Sequence, residues 1–197
     1  MDHEERIALE GRIDRLLDQG DLRAAAGEAV RGYGPEIAAY LRALMREPAD
    51  ADEVFSRTCE KLWQGLARFR RASSMRTWLY TIAHHAARDF QQEGAKGRTR
   101  RLRTSEFSNL AARVLSSQPA WAKGSAADAL ARLRESMEPD EQALLTLRLH
   151  AGLSWKQVAA VLSRPGRPLD EAAVRKRFER LKTKLRGLAA AAGLLGG

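Results

Sequence analysis

R-R-A-S-S-M-R-T-W-L-Y-T-I-A-H-H-A-A-R-D-F, Arg70 to Phe90, is a basic loop running into a helix. Leu79, Ile82, Ala83, Ala86 and Phe90 fall on one side of that helix and predict its buried stripe. Arg76, Tyr80, His84 and Arg88 recur every four residues on another side, with Thr77, Thr81 and His85 beside them. That row predicts a surface combining stacking, hydrogen bonds and positive charge, as a single nucleic-acid strand demands. Trp78, and Trp63 upstream, lie in apolar stripes and are expected to anchor the hydrophobic core.

Working outward, apolar residues recur three and four apart almost everywhere and strand-like alternation is absent, so the chain reads as all-α. Helices are predicted at Glu4–Gln19, Asp21–Arg31, Pro35–Arg46, Ala49–Leu66 and Ser74–Gln92. Pro35 suits a helix's first position, where its missing N–H costs nothing. A second group is predicted at Ser125–Met137, Pro139–His150, Ser154–Leu162 and Asp170–Ala190. Ser154 with Gln157, and Ser125 with Asp128, have capping-box spacing. Between the groups, residues 93–124 are rich in glycine and arginine and read as a basic linker, with a short helix at Phe107–Leu115. The expected architecture is two small helical domains, 1–92 and 125–190, joined by that linker, with a flexible tail at 191–197.

Charge is segregated along the 197 residues, whose net charge is +9. Residues 1–67 carry nine cations against fourteen carboxylates, and residues 68–123 carry twelve against three. Residues 124–163 carry four against five, and 164–197 nine against three. Two separate cationic blocks predict two contacts with a polyanion, since each Lys or Arg set against a phosphate releases counterions.

Other classes are disfavoured. No apolar run is long enough to cross a membrane, so no membrane insertion is expected, and the charged start argues against a signal peptide. Cys59 is the only cysteine, which fits a reducing cytoplasm and a small buried hydrophobe. No nucleotide-phosphate loop and no deaminase pattern is present, and His3, His84, His85 and His150 lack a nucleophile partner. The adjacent His84 and His85 diverge by about 100° on a helix and make a poor metal pair. Neither an enzyme, a metal nor a cofactor is expected.

The second group ends in a helix-turn-helix. In G-L-S-W-K-Q-V-A-A-V-L, Gly152 supplies a turn, Ser154 a cap, and Val158, Val161 and Leu162 the buried stripe of a scaffold helix. Val174, Phe178, Leu181 and Leu185 make one face of the next helix. Arg175, Lys176, Arg180 and Lys182 face away, with Arg177 and Lys184 at the margins. A cationic helix propped by a short one reads the major groove. Glu171, Ala172, Arg175 and Lys176 are expected at base edges, and Lys156, Arg177, Arg180 and Lys182 near phosphates. The connection Ser163–Leu169 exceeds the usual turn; its Arg164 and Arg167 add phosphate contacts or merely space the helices.

Four stretches together resemble the extracytoplasmic-function sigma factors, promoter-recognition subunits of bacterial RNA polymerase. They are G-Y-G-P-E-I (Gly32–Ile37), D-A-D-E-V-F-S-R-T-C-E-K-L-W (Asp50–Trp63), F-R-R-A-S-S-M-R-T-W-L-Y-T-I-A (Phe69–Ala83) and G-L-S-W-K-Q-V-A (Gly152–Ala159). The resemblance implies that the first domain is region 2-like and binds the polymerase clamp helices. It places Asp50, Asp52, Glu53, Val54, Arg57, Thr58, Lys61 and Trp63 at or near that contact. It further implies that Arg70, Arg71, Ser73, Ser74, Met75, Arg76, Tyr80, His84, His85 and Arg88 open the minus-ten element and hold a flipped base, a few kcal/mol that pocket contacts must offset. The second domain, region 4-like, would read the minus-thirty-five element, with the polymerase flap as a further contact and the linker in the RNA exit region. An anti-sigma protein is a plausible partner.

Departures from the family pattern are Ser56–Arg57 for its glutamine–glutamate, Cys59 for its phenylalanine, His84–His85 for its arginine–asparagine, and a recognition turn about five residues longer. Two rival readings remain at this level: a stand-alone helix-turn-helix regulator, and an enzyme acting on nucleic acid.

Overall fold

The computed structural model describes residues 1–93, 136–164 and 166–191. The chain divides into two compact units, Met1–Gln118 and Pro119–Gly197. The described residues form α-helices joined by turns, one short 3-10 helix and no strand beyond an isolated bridge. The expected linker beyond Glu93, the helix at Phe107–Leu115, most of the helix at Ser125–Met137 with its capping box, and residues 192–197 lie outside the described residues.

The front unit contains α1 (His3–Asp18), α2 (Leu22–Leu44), α3 (Pro48–Gly65), a 3-10 turn (Leu66–Arg68) and α4 (Met75–Glu93). Asp2 and Glu5 close a capping box at the start of α1. Helix α2 packs against the other three. Its Ala25, Ala26, Ala29 and Ala38 are fully buried and let those neighbours approach closely. Leu9 and Ile13 of α1, Ile37 and Leu41 of α2, Val54, Phe55 and Leu62 of α3, and Leu79 of α4 fill the core.

A break was predicted between Arg31 and Pro35, yet α2 runs through it as one helix of 23 residues. Gly32 serves packing rather than turning, since a Cβ added there would collide with the Leu9 side chain of α1. Trp63 is not a core anchor: it is 42 % exposed on α3. Trp78 is half-buried and stacks on Phe69 at 4.6 Å, just beside Gly65.

The rear unit contains α5 (Pro139–Leu149), α6 (Trp155–Leu162) and α7 (Glu171–Ala191). Ser154 accepts from the Gln157 N–H and Gln157 returns to Ser154, the capping box expected there. Gly152 takes φ +63, the left-handed turn that suits glycine. Leu144, Leu147, Leu153, Val158, Val161, Leu162, Val174, Phe178 and Leu181 are buried together, while Leu185 is only partly covered.

Candidate nucleic-acid and polymerase interfaces

The loop before α4 has both of its ends tied down. Arg71 adopts φ 54, a left-handed conformation unusual for a residue with a side chain. Its guanidinium reaches Asp18 of α1 at 2.7 Å and Asp14 at 3.9 Å. Ser74 caps α4 by accepting the Thr77 N–H at 3.1 Å. The Met75 and Arg76 N–H groups donate to Glu10 of α1, at 2.9 and 3.0 Å.

The row predicted to face a nucleic-acid strand is turned inward. Met75, Tyr80 and His84 are each 1 % exposed and Arg76 is 8 % exposed. Arg76 forms a two-pronged ion pair with Glu36 of α2, at 2.7 and 2.8 Å, and its guanidinium lies 5.4 Å from the Tyr80 ring centre. Burial works to lower the Arg76 pKa, but Glu36 outweighs it and holds it above the usual arginine value. Tyr80 meets Tyr40 edge-on at 5.3 Å, and the Tyr40 hydroxyl sits 3.0 Å from His84 Nδ1. Nearby, the Tyr33 hydroxyl donates to Glu10 at 2.7 Å; burial and that carboxylate push its pKa far up. Burial and Glu36 do the same for Tyr80. These amphipathic side chains fill the core with polar atoms met by partners on α1 and α2: Glu10 for Tyr33, Glu36 for Arg76, and Tyr40 for His84 Nδ1. Conversely, Ile82 and Phe90, expected in the buried stripe, are only half-buried.

What remains outside is a smaller cationic surface. Arg70 and Arg71 are exposed, and Ser73, Ser74, His85 and Arg88 are partly so.

On α3, Val54 and Thr58 are buried, with Thr58 Oγ1 donating to the Val54 carbonyl at 2.8 Å. They are therefore removed from the polymerase-facing set. Asp50, Asp52 and Glu53 are partly exposed, and Lys61 and Trp63 exposed. Arg57 is enclosed by Glu53 and Glu93, both at 2.8 Å, and lies over the Phe90 ring at 5.1 Å. Desolvation opposes its charge, yet the two carboxylates hold its pKa above the ordinary value. Its charge reversal is thus internally compensated. Glu93, read as linker from the sequence, is the last residue of α4.

In the rear unit, Arg175, Lys176, Arg177 and Arg180 are exposed along α7, as are Glu171 and Ala172 at its start and Lys156 on α6. Lys184 instead ties α7 to α5, donating to Glu141 at 2.6 Å. Lys182 pairs with Glu179 at 2.8 Å and lies 5.8 Å from the Phe178 ring. Trp155 is flanked by Arg148 at 4.6 Å and Arg175 at 5.7 Å, with Phe178 edge-on at 5.2 Å. The long turn is a small closed hairpin: the Arg167 N–H donates to the Arg164 carbonyl at 2.9 Å, and Gly166 takes φ +74. Arg164 reaches back to Asp140 at 3.1 Å, and Arg164, Arg167 and Arg177 line one shallow pocket with Asp140.

Sequence reasoning missed Glu10, Asp18, Glu36, Tyr33, Tyr40, Arg148 and Trp155. Their partners lie up to 66 residues away, where no periodicity reports them.

Residues 29–96 match the Sigma-70 region 2 family. The chain is 28 % identical over 142 residues to RNA polymerase sigma factor YlaC of Bacillus subtilis, covering 71 % of this chain and 80 % of that one. It is 26 % identical over 187 residues to the Probable RNA polymerase sigma factor RfaY of Xanthomonas campestris pv. campestris, covering 88 % of this chain but 44 % of the relative. Among solved structures, CnrH in complex with the cytosolic domain of CnrY superposes with a TM-score of 0.59 at 26 % identity, covering 91 % of this chain and 98 % of that one. The sigma factor RpoE, solved with the anti-sigma factor NepR from Bartonella quintana, gives 0.54 at 19 % identity, covering 79 % of this chain and 91 % of that one, a likeness of fold. The front unit carries a sigma-70 region 2 domain, and the chain is homologous to the extracytoplasmic-function RNA polymerase sigma factors. These relatives favour a polymerase subunit over a stand-alone regulator.

Proposed function

We propose that this chain is a sigma factor: it binds core RNA polymerase, directs it to promoters and opens the DNA, without catalytic chemistry of its own. The observation that carries this reading is the region 2 domain followed, on the same chain, by a helix-turn-helix with a cationic outer face. The front unit opens the minus-ten element, with Arg70, Arg71, Ser73, Ser74, His85 and Arg88 toward the unpaired strand. Helix α3 docks on the clamp helices through Asp50, Asp52, Glu53, Lys61 and Trp63, an acidic first half followed by an exposed aromatic in its last turn, suited to a basic partner. The rear unit reads the minus-thirty-five duplex. There Glu171, Ala172, Arg175 and Lys176 lie at base edges, and Lys156, Arg164, Arg167, Arg177, Arg180 and Lys182 along phosphates.

Because the polymerase works there, the site of action is the cytoplasm. Both structural relatives were solved with a protein bound, which supports an anti-sigma partner for this chain as well. The test is transcription of promoter DNA by purified core enzyme with and without this chain. Promoter-specific transcripts only in its presence are the expected result; no gain over core enzyme alone would sink the reading.

A further inference from the structure

Met75, Arg76 and Thr77 supply the backbone N–H groups that open α4, and the first turn of a helix leaves such donors without intrahelical partners. Ser74 satisfies Thr77 locally. The other two are satisfied from 65 and 66 residues earlier in the chain, where Glu10 Oε2 accepts Met75 N–H at 2.9 Å and Oε1 accepts Arg76 N–H at 3.0 Å. The same Oε1 accepts the Tyr33 hydroxyl at 2.7 Å, so one carboxylate of α1 joins α2 to the first turn of α4. Its negative charge also sits at the positive end of the α4 dipole. A second hold lies upstream, where Asp18 and Asp14 of α1 draw the guanidinium of left-handed Arg71. Residues 70–74 are therefore fastened to α1 near their start and immediately after their end.

We propose that α1 is the positioning element of the strand-capturing loop, with Glu10 as its key residue. Glu10 sets the first turn of α4 and, with Asp18, keeps Arg70–Ser74 in the shape that receives an unpaired base. The proposal rests on the sigma-factor reading and deepens it. Glu10 acts through the backbone of Met75 and Arg76 rather than on DNA, which makes it a positioning residue. A loop shaped beforehand loses less freedom on capturing a base than one that must be ordered in the act.

The experiment compares the full-length chain with E10A and E10Q by two readouts. The first is amide hydrogen exchange of the free protein. E10A should speed exchange at Met75 and Arg76 by roughly ten-fold or more, as expected where a protecting bond is lost, while Thr77 keeps the Ser74 bond. E10Q, with a single carbonyl acceptor, should fall between. The second is binding of the polymerase complex to fork DNA with an unpaired minus-ten strand, with permanganate reactivity on duplex promoter. E10A should weaken fork binding about ten-fold, the factor that one lost interaction of this size carries, and reduce opening, with unchanged affinity for core polymerase. A purely structural glutamate would lower thermal stability and speed exchange at Met75 and Arg76 yet leave fork binding and opening normal at temperatures where the variant is folded, and that result overturns the proposal. Unchanged exchange at Met75 and Arg76 overturns it equally. If E10A does not fold, E10Q decides by the same two measurements. A wild-type chain inert with core polymerase would instead overturn the sigma-factor reading, and needs no variant to be recognised.

Discussion

Arg76 and Glu36 meet as a fork, Nε to Oε1 at 2.7 Å and Nη2 to Oε2 at 2.8 Å, beneath the surface of the front unit. The arginine side chain is only 9 % exposed and the glutamate 29 %, so the cation has little water to fall back on. Removing Glu36 alone takes the carboxylate from a buried cation and leaves it the Tyr80 ring. Glu36→Ala should cost about 3 kcal/mol, seen as a lower urea midpoint at unchanged slope. Arg76→Leu with Glu36→Leu should cost less than the two singles together, because residues in direct contact are non-additive.

A second test concerns the close approach of α1 to α2. Gly32→Ala forces a methyl against Leu9, and overpacking of this kind costs about 1–3 kcal/mol. Leu9→Ala, which empties a fully covered site, should cost about 2–4 kcal/mol by itself. Combined, the two should be more stable than their sum predicts, since each relieves what the other lacks. Thermal unfolding of the four proteins of the cycle measures this.

Arg71→Gly separates folding from DNA binding. Glycine relieves a left-handed backbone worth roughly 1–2 kcal/mol. The lost ion pair with Asp18 is about half exposed, and such pairs contribute at most about 1 kcal/mol. Equilibrium stability should therefore stay within about 1 kcal/mol of wild type. If Arg71 meets a phosphate, the salt slope for unpaired DNA should fall by about 0.7. Titrations at several salt concentrations check it; an unaltered slope removes Arg71 from the DNA surface.

In the rear unit, Arg175→Ala should weaken promoter-duplex binding by about 1–3 kcal/mol and relax preference at one base pair, while association with core polymerase is spared. Trp155→Leu removes the ring beside Arg175 and should reproduce about 0.5–1 kcal/mol of that loss. Fluorescence anisotropy on duplexes varied at single positions reads both. Equal loss of polymerase binding would contradict the division of labour between the units.

Cys59 provides a probe of opening. Burial pushes its thiol pKa up to about 12, so at pH 8 the nucleophilic thiolate is almost absent. Alkylation of the native protein should be slow and should accelerate sharply in urea. Mass spectrometry of iodoacetamide-treated samples gives the rate, and fast labelling of the folded chain would show that α3 opens locally.

Much of the architecture was legible locally. The Ser154–Gln157 capping box, the stripe of Val174, Phe178 and Leu181, and the scaffold stripe of Val158, Val161 and Leu162 all depend on neighbours within a few turns, and the structure has them as read. The site was less legible, and α4 shows why. Arg76, Tyr80 and His84 carry polar ends on large apolar bodies, so a periodicity argument assigns them to solvent. Which way they face depends on whether distant groups can satisfy those ends, and Glu36 and Tyr40 do. Trp63 errs in the opposite sense: an apolar body does not ensure a seat inside. The sequence G-Y-G-P looked like a break because glycine and proline punctuate chains, but here one glycine makes room for Leu9 instead.

Spacing and charge order were enough to read the helices of the described residues and a cationic helix pair closing the second unit, and the resemblance of a few short stretches pointed to the kinship of the first with region 2. Those properties reside in residues a few positions apart or in sums along the chain. Packing alone decided which side of α4 meets water, that Arg57 is neutralised by Glu53 and Glu93, and that α1 holds the loop through Glu10 and Asp18. The reason is desolvation: a buried polar group survives only where a partner reaches it, and those partners come together only when the chain folds.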